Sequence, residues 1–156
     1  MNSKDFLYNK LINRQDKNGH VYNNVLNEAG IYYIGENYFG TTFDKSFTKS
    51  PGLNISKAEI DELKQLFSYE PNINSKMFIN IGEKKHRIVH YDGKTLYLVH
   101  DSHSGATVCK INYNFIIGTY DTSKKYKKDG KELNQDGIIC KLIVEEAAKE
   151  AKEWGW

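Results

Sequence analysis

Residues 95–120 set the architecture. They read Thr95-Leu96-Tyr97-Leu98-Val99-His100, a turn over Asp101 to Gly105, Ala106-Thr107-Val108-Cys109-Lys110-Ile111, a turn over Asn112 to Asn114, and Phe115-Ile116-Ile117-Gly118-Thr119-Tyr120. Each run is six residues rich in aliphatic, β-branched and aromatic types, and each turn is too short to hold a crossover helix. Two further runs, Met77 to Ile81 and Lys85 to Tyr91, precede them, separated by Gly82-Glu83-Lys84 and Asp92-Gly93. Asp-Gly between β-rich runs is a strong hairpin signal. Five short runs joined this tightly predict an antiparallel meander.

On the C-terminal side, Ile138 to Trp154 predicts a helix. Ile139, Ile143, Ala147 and Ala151 repeat every fourth residue beside Cys140, Val144 and Ala148, so one face is apolar. On the N-terminal side, Ser56-Lys57-Ala58-Glu59 has the form of a capping box. Ile60, Leu63, Leu66 and Phe67 follow at helical spacing, with the end expected near Tyr69 and the exit at Pro71. Gly40 to Pro51 reads as irregular. His20 to Leu26 and Ile31 to Ile34, with Asn27-Glu28-Ala29-Gly30 between them, predict a second antiparallel hairpin. Asp5 to Asn13, with Phe6, Leu7 and Leu11, predicts a short first helix. The expected fold class is therefore α+β: one domain over 1–156, an antiparallel sheet of hairpin plus meander, terminal helices packed together on one face and a further helix elsewhere. Ser123 to Lys131 reads as a basic, glycine-containing loop, open to two readings: a solvated surface insertion or a site for an acidic partner.

Composition narrows the function. The chain has 156 residues, long enough for one core. Twenty-two Lys and Arg against 20 Asp and Glu give a net charge of +2, so bulk charge does not favour nucleic acid. Apolar runs stop at four residues, against about 20 for a membrane-spanning helix. No apolar signal region follows the N-terminus, and two cysteines do not make a disulfide framework, which predicts cytosolic thiols.

Catalytic signals are weak. His86 and His90 are four apart on one expected strand, so both should face one side about 13 Å apart, too far for one metal. His100, Asp101 and His103 share a turn, but no further ligands are spaced to complete a site, and no metal is expected. Cys109, with Thr107 and Ile111 on the same side, reads as a buried small hydrophobe rather than a nucleophile. Phosphate-binding glycine loops are absent. No catalytic residue and no cofactor is expected. The aromatics Phe6, Tyr8, Tyr32, Tyr33, Trp154 and Trp156 cluster near the chain ends. Two readings stay open: they staple the termini to the sheet, or they form a groove for a polyproline II segment.

These residues resemble the profilin family. Gly105-Ala106-Thr107-Val108-Cys109-Lys110 resembles its Gly-Gly-Val-Thr-Ile-Cys-Lys strand, and Ile116-Ile117-Gly118-Thr119-Tyr120-Asp121 its Ile-Ile-Gly-x-Tyr-Asp strand. Cys140 to Glu145 resembles the start of its C-terminal helix, and Trp154-Gly155-Trp156 its Gly-aromatic ending. Ile81-Gly82, Lys85-His86 and Ile88-Val89-His90 are similar to its Gly-Gly-x-Lys-Tyr and Val-Ile-Arg stretch. Ala29 to Tyr33 is similar to its Asp-Gly-x-Val-Trp hairpin. The similarity spans nearly the whole chain and is most specific from Ile81 to Trp156.

The resemblance implies a non-enzymatic, cytoplasmic, cytoskeleton-associated protein that binds monomeric actin, proline-rich segments and phosphoinositides. By position it implies actin contacts at Lys85, Ile88, His90, Lys110, Lys141 and Glu146, and proline-rich contacts at Phe6, Tyr33 and Trp156. It also marks departures. Ser3 and Tyr33 stand where the family commonly has Trp, and Glu150 adds a carboxylate, which predicts weaker proline-rich binding. Leu98-Val99-His100 replaces a lysine-rich loop, His90 replaces Arg, and Lys124 to Asp136 is an insertion that adds actin contacts or shields that face. The alternative function is an adaptor or phosphoinositide-binding module on the same fold, with weak or no actin binding. A small thiol- or His-dependent enzyme is a third reading, which requires an exposed Cys109.

Overall fold

Strand alternation sorts the apolar side chains of the meander onto two faces, and each face collects its own helices. The computed structural model describes residues 3–34, 53–68 and 76–156. In chain order, helix α1 (Ser3–Phe6) runs into a π-helix (Leu7–Ile12), followed by strands β1 (Arg14–Gln15), β2 (Val21–Asn23) and β3 (Glu28–Tyr33). Helix α2 (Lys57–Phe67) comes next, then β4 (Phe78–Ile81), β5 (Lys84–Tyr91), β6 (Thr95–Val99), β7 (Ser104–Lys110) and β8 (Asn114–Asp121). Strands β9 (Lys125–Lys128) and β10 (Lys131–Asn134) lead into helix α3 (Gly137–Glu153).

The expected meander forms. Strands β4 to β8 pair consecutively and antiparallel, and β3 closes the six-stranded sheet by pairing with β8. Ile31, Cys109 and Ile116 face one side, where Phe6, Leu7 and Leu11 of the N-terminal helices meet Cys140, Ile143, Ala147 and Ala151 of α3. Tyr32, Leu96, Leu98, Val108, Phe115 and Ile117 face the other, under Ile60, Leu63 and Leu66 of α2. The terminal helices therefore share one face and α2 covers the opposite one, as the fold class required.

The second hairpin does not form as expected. Strand β2 does not pair with β3; it joins a separate four-stranded sheet of order β1-β2-β9-β10. The cause lies in the connection. Asn24 takes a positive φ of 56°, and Val25 and Leu26 plunge fully into the helix-side core. The Val25 amide donates to the Ile12 carbonyl and the Asn27 amide to Thr119, which carries the chain from one sheet to the other. The Ser123 to Lys131 stretch is not a loop either. Asp129 and Gly130 both sit at positive φ, 52° and 82°, and make a two-residue turn that pairs Lys128 with Lys131. Gly40 to Pro51, and the helix exit at Tyr69 and Pro71, lie outside the described residues.

The capping box at Ser56 reaches beyond its own helix. The Ser56 hydroxyl accepts from the Glu59 amide, and Glu59 Oε1 accepts from the Ser56 amide at 3.2 Å. The same carboxylate accepts from the Gly82 amide at 3.1 Å and the Glu83 amide at 2.8 Å. Glu83 is a non-glycine residue at φ 66°, in the two-residue turn joining β4 to β5. One buried carboxylate thus holds a helix start and a strained turn together. Glu59→Ala should lower unfolding stability by about 2–4 kcal/mol, because bonds to a charged acceptor are lost and buried amides are orphaned. Urea denaturation reads this; a change under about 0.5 kcal/mol would refute it.

Candidate functional site

The face of the sheet beyond α3 is exposed and organised around Tyr97. Strand β6 points Leu96 and Leu98 into the α2-side core, so Tyr97 points the other way. Its hydroxyl donates to Glu145, its ring stacks on His90 with centroids 4.8 Å apart, and Lys141 Nζ lies 4.8 Å from the ring centre. Burial, then the Glu145 carboxylate, push the Tyr97 hydroxyl well above its ordinary range, so it stays protonated and donates. Lys141 and Glu145 are one helical turn apart, which places both on the sheet side of α3. Further along β5 on the same face, Lys85 Nζ sits 4.2 Å from the ring centre of Phe78. Val89, Ile138 and Leu142 are exposed. Cations, aromatic rings and exposed aliphatics together are the composition of a protein-binding surface rather than of a reaction centre.

Of the residues expected here, Lys85, His90 and Lys141 converge on the Tyr97 face. Ile88 does not: it packs partly buried against the α2-side core. A β-bulge between Ile88 and His90 separates them. The bulge inserts one residue into β5 and shifts the alternation. It also overturns the expectation that His86 and His90 face one side, since His86 is buried and His90 exposed on the opposite face. Lys110 shares the face of Val108 by alternation, away from Lys141. Glu146 projects from another side of α3 and pairs with Arg14 Nε at 3.2 Å. Arg14, only 5% exposed, also binds Glu150 and the Lys10 carbonyl, and so ties the N-terminal helix to α3. Tyr97, Glu145 and Phe78 escaped the sequence reading. The i, i+4 spacing of Lys141 and Glu145 was the available signal for Glu145.

A second surface lies at the chain ends. Phe6 is 0% exposed and forms the floor, with Trp154 edge-on at 5.8 Å and Trp156 tilted at 5.2 Å. The Trp156 carbonyl accepts from the Tyr113 amide and from Asn114 Nδ2, and Asn114 pairs with Tyr33 across the strands. Tyr33 and Trp154 are 48% and 44% exposed, and Lys10 Nζ lies 5.9 Å from the Trp154 ring centre. Phe6 therefore staples the terminal helices together, while Tyr33, Trp154 and the half-buried Trp156 present aromatic surface. Glu150, expected as an added carboxylate in this region, is held by Arg14 and Lys10.

The thiol reading loses its premise. Cys109 and Cys140 are buried, and burial pushes both thiols up to about 12, which leaves negligible thiolate at neutral pH. Among the described residues no three His, Cys, Asp or Glu side chains are gathered to hold a metal ion. Among them also, no helix is long and apolar enough to cross a membrane.

The fold has counterparts among known proteins. A family profile described as Profilin matches residues 39–153. No curated protein sequence matches the chain. Among solved structures, Acanthamoeba castellanii profilin II in a cubic crystal form superposes with a TM-score of 0.66 at 14% identity, covering 99% of this chain and 100% of that one. Profilins IA and IB of the same organism each give a TM-score of 0.61 at 14% identity, over 85% of this chain and 89% of theirs. At such identity the structures establish the fold alone. The family profile spans well over half of the chain and matches across the meander and α3, where the Tyr97 face is built; the chain belongs to the profilin family, whose members are actin-binding regulators rather than enzymes.

Proposed function

We propose that this protein binds monomeric actin through the Tyr97 face and regulates its polymerisation. The observation that carries the reading is the partly exposed group of His90, Tyr97, Lys141 and Glu145, with Lys85 over Phe78 further along the same face. Basic side chains held over aromatic rings keep their charge accessible and lose little rotamer freedom on docking against an acidic surface. The exposed Val89, Ile138 and Leu142 add apolar anchors. Of the contacts expected by position, Lys85, His90 and Lys141 belong to this surface. Ile88 supports it from beneath, and Lys110 and Glu146 lie outside it.

Bound monomers would be sequestered and released at one filament end. Nucleotide exchange would quicken if the protein binds the open actin cleft more tightly than the closed one. A polymerisation assay with purified actin tests this. The expected result is a longer lag and less filament at micromolar protein. No effect at tens of micromolar would refute it and favour an adaptor on the same fold.

Proline-rich segments fit the second surface, with Tyr33, Trp154 and Trp156 as the stacking groups over buried Phe6. Both tryptophans of the chain lie there, so intrinsic fluorescence reads binding directly. Trp154→Ala should weaken binding of a polyproline peptide about fivefold to tenfold, in line with the about 0.5–1.5 kcal/mol of an aromatic contact. An unchanged titration would remove Trp154 from the surface. Phosphoinositides would meet the lysines of β9 and β10, whose hairpin carries Lys125, Lys127, Lys128 and Lys131. Cytoplasmic, cytoskeleton-associated action follows from the actin reading.

A further inference from the structure

A polar cavity of about 290 Å³ opens on the α2 side of the sheet, remote in character from both surfaces above. It lies where the β4–β5 and β6–β7 turns meet the end of β8 and the residues before α2. Two imidazoles line it, those of His86 and His100, with ring centroids 5.2 Å apart. His86 Nδ1 lies 2.8 Å from the Lys84 carbonyl and His100 Nδ1 lies 2.8 Å from the Lys85 carbonyl. A carbonyl only accepts, so each Nδ1 carries a proton, and in the neutral imidazole that tautomer leaves the Nε2 lone pair free to bind an ion. Among the described residues neither Nε2 makes a hydrogen bond to protein, and neither is a fully buried orphan, so solvent reaches both.

This is the arrangement found around metal-bound histidine. One ring nitrogen is fixed to a backbone carbonyl, which sets the tautomer and aims the other at the ion. The spacing also agrees. With metal–nitrogen bonds of about 2.0–2.1 Å, a tetrahedral ion places two imidazole centres roughly 5.2 Å apart. Four carboxylates and one ammonium group, that of Lys84, line the cavity, and these five groups together carry 1 − 4 = −3 charges. That favours a dication.

We propose that His86 and His100 ligate one divalent transition-metal ion of the zinc, copper or nickel class through their Nε2 atoms. Because no three-residue cage is preformed among the described residues, solvent fills the remaining positions. The site is therefore open and exchangeable. Imidazole nitrogen selects this class over magnesium or calcium, which prefer oxygen alone.

Calorimetric titration of the full chain with zinc chloride at pH 7.5 is the test, with Co²⁺ absorption as the geometric probe. One ion per chain is expected, with the intense visible bands of a tetrahedral Co²⁺ site. His100→Ala should lower zinc affinity at least tenfold, since even losing an outer partner of a ligating histidine costs about 10–100-fold. His103→Ala, in the same β6–β7 turn but exposed and outside the cavity lining, should leave it unchanged. Because His86 is buried, its role is read in the unmutated protein. Its ring resonances and those of His100 should move on adding zinc, while those of His20 and His90 stay. Absence of saturable binding, equal affinity in His100→Ala, or ring shifts confined to other histidines would each overturn the proposal.

Discussion

Gly105→Ala should unfold far more readily than the parent protein, losing about 3 kcal/mol or more. A Cβ at Gly105 would lie 2.2 Å from the Leu98 carbonyl oxygen, 2.7 Å from the Tyr120 hydroxyl and 2.9 Å from its ring. Tyrosine rings can swing aside; the Leu98 carbonyl cannot, because Leu98 pairs with Ala106 and Gly105 with Val99 in the β6–β7 ladder. Relieving the contact means opening that ladder at the centre of the sheet. Overpacking a closed site costs about 1–3 kcal/mol, and more when backbone rather than a side chain must yield. Urea denaturation gives the value. Adding Tyr120→Ala should not rescue the variant, which separates the backbone contact from the ring. Stability within about 1 kcal/mol of the parent would show that the sheet accommodates the methyl.

Lys141→Glu should weaken actin binding about tenfold to a hundredfold, equivalent to about 1.4–2.7 kcal/mol. The change removes the cation over Tyr97 and sets a second carboxylate one helical turn from Glu145. The fold should tolerate it. The lost cation–π contact is worth about 0.5–1 kcal/mol at an exposed site, and like charges at i, i+4 add a few tenths. A large loss of affinity with a small loss of stability is therefore the signature. Monomer affinity within twofold of the parent, in a protein that still slows polymerisation, would move the binding face away from α3.

Several elements were legible because their signals sit in consecutive residues. Ser56 and Glu59 announced a capped helix start, and both reciprocal bonds are present. The five runs from Met77 to Tyr120 are strands within two residues of their expected bounds, since period-two patterning and short turns are local properties. Asp129-Gly130 carried the same turn chemistry as Asp92-Gly93, but flanking lysines masked it: β9 and β10 bury only one side chain fully, Tyr126, against Tyr22. Apolar alternation, the usual companion of a strand, was missing there.

The candidate surface was less legible. Glu146 and Glu145 are equally plausible on a helix until the helix is rotated against the sheet. Arg14, distant in sequence, draws Glu146 away and leaves Glu145 to Tyr97. The bulge between Ile88 and His90 carries no glycine or proline marker, yet it exchanges the faces of every residue after it. Phe6 resembled a binding aromatic but is fully enclosed by both tryptophans and the α3 face.

Periodicity, caps and turn residues thus specified which segments become helix or strand, that the strands run antiparallel, and which family the chain resembles. All of these follow from contacts among near neighbours along the backbone. Which sheet β2 joins, which way His90 and Glu146 point, and that His86 meets His100 across a shared cavity were settled by packing between residues far apart in the chain. Such choices depend on the balance of burial, partner geometry and strand phase in the assembled molecule, and no window of consecutive residues contains them.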